Sequence, residues 1–180
     1  MNSRKLLLLA AVFTPVSFAA ETQKDIQLDD VNVVASTPLH GVGLEKEKLP
    51  YPVQTAKSSD LKNAQSLDLS DYIARNLTSV NINQAQNNPL QPDVQYRGFT
   101  ASPLLGNSQG LSVYMNGVRI NEPFGDAVNW DVIPQSSIAG INLMAGSNPL
   151  FGLNTLGGAL SIKTKNGFTH PGHSIQASGG

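Results

Sequence analysis

The sequence predicts an α+β fold, a small mixed sheet with short helices and long glycine-rich loops. Three observations lead there. Segments of alternating apolar and polar residues, bounded by turn residues, follow one another from Ser79 onward. Short helical patterns stand before them, between Ser58 and Leu77. Only Gly41 and Gly43 of the 16 glycines precede Gly98, so the second half reads as a sheet punctuated by turns and not as a helical bundle.

The first twenty residues, MNSRKLLLLAAVFTPVSFAA, differ in kind. Arg4 and Lys5 precede an apolar run from Leu6 to Phe18 that spans roughly 20 Å as a helix, against a hydrocarbon core of about 30 Å. Pro15 shortens it further, and small residues follow. Residues 1–20 therefore read as a secretory signal cut after Ala19 or Ala20. Residues 21–49 form a polar tether, with Glu45, Lys46, Glu47 and Lys48 clustered before Pro50. Within it LDDVNVVAS, Leu28 to Ser36, has a strand-like pattern and no evident strand neighbour in sequence. Such a segment is either without fixed structure or available to the sheet edge of a partner.

A globular region is expected over residues 50–165. SSDLKNAQ, from Ser58, predicts a short helix capped by Ser59 or Asp60. SLDLSDYIARNL predicts a second, begun by Ser66 with Asp68, its apolar face made by Leu69, Tyr72 and Ile73. Strands follow at SVNIN (Ser79 to Asn83), DVQYRGF (Asp93 to Phe99) and GLSVYMNGVRI (Gly110 to Ile120). The last carries Asn116-Gly117 between alternating segments, the sign of a tight hairpin. A short helix around Pro134 to Ser137 leads into IAGINLMAG, and ALSIKTK closes the region as a strand. Residues 166–180 read as a linker, with HSIQAS as the start of one more strand.

Chemistry is scarce. The formal net charge of −1 argues against nucleic-acid binding by counterion release. The absence of cysteine excludes disulfides and thiolate metal sites. Gly152 and Gly157 have phosphate-loop spacing, but Gly158 and Ala159 stand where lysine and serine or threonine are required, and a strand follows instead of a helix. His170 and His173 lie in the loop HPGH without a nearby carboxylate in sequence, and His40 stands alone in the tether, so no metal site is expected. No G-x-S-x-G is present. Asp126 and Asp131 read as exposed loop carboxylates. Neither a catalytic set nor a cofactor is expected. Between Arg97 and Lys163 the only basic residue is Arg119.

Several stretches resemble the N-terminal part of TonB-dependent outer-membrane receptors: signal peptide, TonB box and plug domain, without the barrel. DDVNVVAS resembles the TonB box, and LSDYIARNLTSVNI the helix leading to a plug strand, with Leu77-Thr78-Ser79 replacing the usual proline and glycine. VQYRGF resembles the family's strand carrying arginine and glycine, here Arg97 and Gly98. VYMNGVRI resembles its hairpin, and INLMAGSNPLFGLNTLGGALSIKTK its closing motif, with Phe151 at the usual tyrosine and Ala145 at the usual arginine.

The resemblance implies a non-enzymatic plug seated in a barrel of about 22 strands in the cell outer membrane, with residues 166–180 entering the first barrel strand. Asp30, Val31, Asn32, Val33, Val34 and Ala35 would pair with the energy-transducing protein TonB. Cargo, most often a ferric siderophore in this family, would meet the loops Phe99–Gln109 and Asn121–Trp130, through Thr100, Ser102, Asn107, Gln109, Phe124 and Trp130. For Phe124 and Trp130 two roles are open, apolar or stacking contact with cargo, or packing in the plug core or between plug and barrel. Gly98, Gly117, Gly146, Gly152, Gly157 and Gly158 would serve turns and close backbone approach. The rival expectations are a stand-alone periplasmic plug-like module that binds a ligand or partner and, third, a periplasmic enzyme.

Overall fold

A computed structural model describes residues 33–35, 38, 43–66, 68–84, 87–88, 91–173 and 175. The expected signal segment lies outside these residues, as do Asp30, Val31 and Asn32. The described residues form ten strands: β1 Val33–Ala35, β2 Gly43–Glu45, β3 Val53–Lys57, β4 Val80–Gln84, β5 Pro92–Tyr96, β6 Phe99–Ala101, β7 Leu111–Met115, β8 Val118–Arg119, β9 Ile138–Ala145 and β10 Gly158–Thr164. The helices are α1, Ser58–Ala64, and α2, Leu69–Asn76. A five-stranded sheet runs β3-β9-β10-β7-β8, a three-stranded sheet runs β4-β5-β6, and among the described residues β1 and β2 form a separate pair. No helix among the described residues is long and apolar enough to cross a membrane.

The local rules act as expected at α2. Asp68 is its N-cap, with a carboxylate oxygen accepting from the Asp71 N–H at 2.8 Å. Leu69, Tyr72 and Ile73 turn inward as one buried face. Helix α1 begins earlier than expected. Ser58 is its first residue, and Asp60 sits in the first turn, where its carboxylate accepts from the Lys57 N–H at 2.8 Å. That is the return arm of a capping box instead of an N-cap.

Two strand expectations need correction. DVQYRGF is not one strand: β5 ends at Tyr96 and β6 starts at Phe99, with Arg97 (φ 50°) and Gly98 (φ 86°) as a two-residue turn between paired Tyr96 and Phe99. Two positive φ values in succession match the twist of a hairpin, and an arginine in that position disguises it. Asn116 (φ 51°) and Gly117 (φ 82°) make the equivalent turn between β7 and β8. The segment at Val33–Ala35 is not without a neighbour, since it pairs antiparallel with Gly43–Glu45 in the same tether. Gly-Leu-Glu has no alternation to announce a strand, and backbone ladder bonds do not require one.

The core follows the two-residue period. Leu111 and Val113 of β7, Leu160 and Ile162 of β10 and Ile141 and Leu143 of β9 lie on one face, where register sets Leu160 beside Val113 and Leu143. The apolar faces of both helices and of β4 and β5 belong to the same cluster. The opposite face holds Val53, Tyr114, Met144, Phe151 and Ala159. Tyr51 meets the Phe151 ring edge-on, with centroids 5.8 Å apart.

Leu160 lies in the middle of this sheet and is 1% exposed. Leu160→Ala is expected to cost about 2–5 kcal/mol, because rigid strands on both sides cannot close the cavity. Urea unfolding of the purified chain measures this as a fall in midpoint at unchanged slope.

Candidate functional site

Strand direction decides where the loops go. β7 and β10 pair in parallel, while β8 and β9 run antiparallel to them. The starts of β7 and β10 and the ends of β8 and β9 therefore share one end of the sheet. Segments 102–110, 120–137 and 146–157 all emerge there.

The first of these loops is fixed by its own polar side chains. Ser102, fully buried, donates to the buried carboxylate of Asp93 and accepts from the Leu104 N–H at 3.1 Å and the Asn107 amide at 3.0 Å. The Gln109 side chain accepts from the Ser102 N–H at 2.9 Å. The second loop is tied to the same place. Val128 N–H donates to the Ser102 carbonyl at 2.9 Å, and the Trp130 indole N–H donates to the Ala101 carbonyl at 3.0 Å. Buried polar groups are tolerated here because each has a partner.

Where β8 stops, a side chain continues its role. Ile120 N–H donates to the Val113 carbonyl at 2.9 Å, after which the Asn121 amide takes over as a surrogate strand. Its Oδ1 accepts from the Val113 N–H at 2.7 Å, and its Nδ2 donates to the Leu111 carbonyl at 3.2 Å and to the Asp126 carbonyl at 3.3 Å. The edge of β7 is thereby satisfied without further strand.

Asp126 is the junction between loops. Arg119 Nη2 stands 2.7 Å from its Oδ1, and Asn154 Nδ2 of the third loop donates to its Oδ2 at 2.7 Å. Around this junction lies an open cleft of about 660 Å³, lined from all three loops by Asn107, Gln109, Glu122, Pro123, Leu153 and Asn154, with Arg119, Asn121, Gly125 and Asp126. It offers carboxamides, two carboxylates and one guanidinium, without an arrangement for bond-breaking chemistry. Among the described residues no His, Asp and Glu cluster could hold a metal ion. His170 lies in an exposed turn with its Nδ1 2.9 Å from the Thr169 hydroxyl.

The third loop is shaped by close approach. The Tyr114 hydroxyl donates to the Phe151 carbonyl at 2.5 Å. Burial raises the Tyr114 pKa, with Arg119 opposing and Asp126 adding to the shift, so the hydroxyl remains a donor through neutral pH. A Cβ on Gly157 would stand 2.5 Å from Cβ of Phe99, and one on Gly158 would collide with the Met144 carbonyl. Gly158 (φ 131°), Gly146 (φ 88°) and Gly152 (φ 87°) lie at positive φ, but Gly157 does not, so lack of space and not backbone conformation demands glycine there.

Of the residues expected to face cargo, only Asn107 and Gln109 line the cleft. Phe124 is 80% exposed on the second loop. Ser102 and Trp130 are buried, the first as the polar knot of the loop base and the second in the core, so neither presents its side chain outward. For Trp130 this leaves packing as its role. Thr100 is half-buried on β6, bridged to Gln109. Arg97 is exposed, its guanidinium 5.3 Å from the Tyr96 ring centroid. Asn121, Glu122 and Asp126 fall within the expected loop Asn121–Trp130 without having been singled out, whereas Arg119, Leu153 and Asn154 lie outside both loops expected to face cargo. The isolation of Arg119 as a basic residue between Arg97 and Lys163 was the one sequence signal for the last three, and Asp126 engages Arg119 and Asn154 instead of forming an acid pair with Asp131.

A sheet with three loops tied together at one end is matched by a family model: the TonB-dependent receptor plug domain aligns to residues 45–159. The chain belongs to this family. The fold is also shared with two solved structures, and a third match is weaker. A chain of the FpvAI–pyocin S2 complex matches at TM-score 0.55 and 11% identity, over 74% of this chain and 16% of that one. The alcaligin outer-membrane receptor FauA from Bordetella pertussis matches at TM-score 0.52 and 12% identity, over 74% of this chain and 21% of its own. The ferric yersiniabactin uptake receptor FyuA from Yersinia pestis matches at TM-score 0.49 and 20% identity, over 64% and 17%. The chain thus spans between 16% and 21% of the length of these proteins. No curated protein matches its sequence.

Two substitutions test how the plug holds its loops. Asn121→Ala should cost about 1–3 kcal/mol by leaving buried strand groups unpaired, and amide exchange at Val113 should rise with it. Gly157→Val should lower the unfolding midpoint through collision with Phe99, by an amount typical of overpacking, about 1–3 kcal/mol.

Proposed function

We propose that this chain is the plug of a TonB-dependent active transporter of the outer membrane. It gates a barrel and couples cargo uptake, a ferric siderophore being the first candidate, to the energised inner membrane. The observation that carries the reading is the plug-family match over residues 45–159. The three loops that meet at the cleft give the reading a place for cargo, to be completed by barrel loops. FauA, which shares the fold, is an alcaligin receptor of the outer membrane.

In this proposal residues 1–20 export the chain, residues 21–49 are the tether and 50–165 the plug, and Asp30 to Ala35 form the TonB box. Coupling is then a strand exchange. A β-augmented partner gains ladder bonds worth about 0.5–1.5 kcal/mol each, against an ordering cost of about 1–2 kcal/mol per residue. The pairing of Val33–Ala35 with Gly43–Glu45 has already met part of that ordering cost, and among the described residues no strand pairs with the other edge of β1. Such an association is weak, as a transient mechanical link must be.

Val33→Pro removes a ladder donor and fixes φ. In the receptor with its barrel, this variant is expected to reduce active uptake to background while cargo still binds the cells at the original affinity. Uptake at the unsubstituted rate would sink the proposal.

A further inference from the structure

The charge and apolar pattern of the loop end specifies a cargo class. We infer that the cleft takes a neutral or cationic complex with an apolar exterior and discriminates against polyanions. The inference rests on the reading of the cleft as the plug's cargo site.

The charge census is short. The segments Phe99–Gly110 and Gly146–Gly157 contain no charged residue at all. The cleft lining has one cation, Arg119, against two acids, Glu122 and Asp126. Arg119 is not available as an anion clamp. Its Nη2 is committed to Asp126 at 2.7 Å, its Nε is buried without a hydrogen-bond partner, and its Nη1 lies against Gly152, 3.7 Å from where a Cβ would stand. A guanidinium recognises anions by presenting its donor fork, and here one arm of the fork is held by Asp126 while the Nε is buried. Glu122 is exposed, accepting only from the Asn129 amide at 2.6 Å in the contacts of its side chain. A polyanion entering the cleft would meet a net negative surface with its one cation already neutralised.

The surroundings favour an apolar exterior. Leu105, Phe124, Leu150, Leu153 and Leu156 stand on the same three loops with 59% to 86% of their surface exposed. Leu105 reaches Gly125 of the second loop, and Leu153 lines the cleft itself. An apolar rim around a polar, convergent floor is the usual composition of a small-molecule site, and its exposure is costly unless something covers it. A compact chelate that encloses its metal in uncharged hydroxamate-type groups and presents methylene chains outward has this chemistry. A trianionic catecholate shell does not.

The test uses the receptor with its barrel and two probes of similar size, an uncharged iron(III) tris-hydroxamate and a trianionic iron(III) tris-catecholate. Equilibrium dialysis at low and high salt should show tighter retention of the uncharged complex, with little salt dependence. Glu122→Gln, whose side-chain oxygen can still accept from Asn129, should shift the retention ratio several-fold toward the trianion, and Asp126→Asn should do so further by releasing Arg119. Equal or tighter retention of the trianion by the unsubstituted receptor, or a ratio unmoved by both variants, overturns the charge inference while leaving the cleft a cargo site. Retention of neither complex overturns both readings.

Discussion

Because β7 and β10 pair in parallel while β8 and β9 run back against them, four strand ends are gathered at one edge of the sheet, and the long loops have no other place to be. The parallel contact is therefore the constraint on which the site depends. It requires the chain to leave β7 through a hairpin, cross by residues 120–137 and return down β9 before β10 can lie alongside. Glycine makes the last step possible. At Gly158 the Met144 carbonyl occupies the space of a side chain, and at Gly157 the Phe99 side chain does so. A Cβ at Gly158 would push β10 away from β9, and one at Gly157 would press on Phe99 of β6.

Once the loop bases are set, polar side chains do the work that strands would do in a longer sheet. Asn121 satisfies the edge of β7, Ser102 gathers the first loop onto Asp93, and Asp126 links the second loop to the third through Arg119 and Asn154. These bonds are short in reach and specific in geometry, and they fix the cleft without an apolar filling. The apolar side chains of these loops are consequently free to point outward, which leaves an exposed rim on a fold with a conventional core. A loop end organised by hydrogen bonds in this way suits a surface that meets water.

The tether presents a separate balance. Val33–Ala35 and Gly43–Glu45 form a two-stranded sheet outside the five- and three-stranded sheets. Two strands are marginal on their own. Such a pair gives Val33–Ala35 an extended backbone, and among the described residues no third strand joins it. The coupling proposed for the TonB box then depends on how the in-chain pair competes with, or is extended by, the partner.

Periodicity and turn chemistry by themselves determined the α+β class, the buried face of α2 and the hairpin at Asn116-Gly117, because each rests on neighbours a few residues apart. The helix start at Ser58, the turn at Arg97-Gly98 and the pairing of β1 with β2 were hidden, since Lys57, Arg97 and Gly-Leu-Glu carry none of the usual signals. Family motifs in the sequence were sufficient for the plug, whose matched segment runs from residue 45 to 159. Only the tertiary structure decided the site. Asn107, Arg119, Asp126 and Asn154 are far apart in sequence and meet because parallel pairing returns three loops to one edge. The same folding buried Trp130 and Ser102, which a sequence cannot distinguish from their exposed loop neighbours when burial is set by strands distant in the chain.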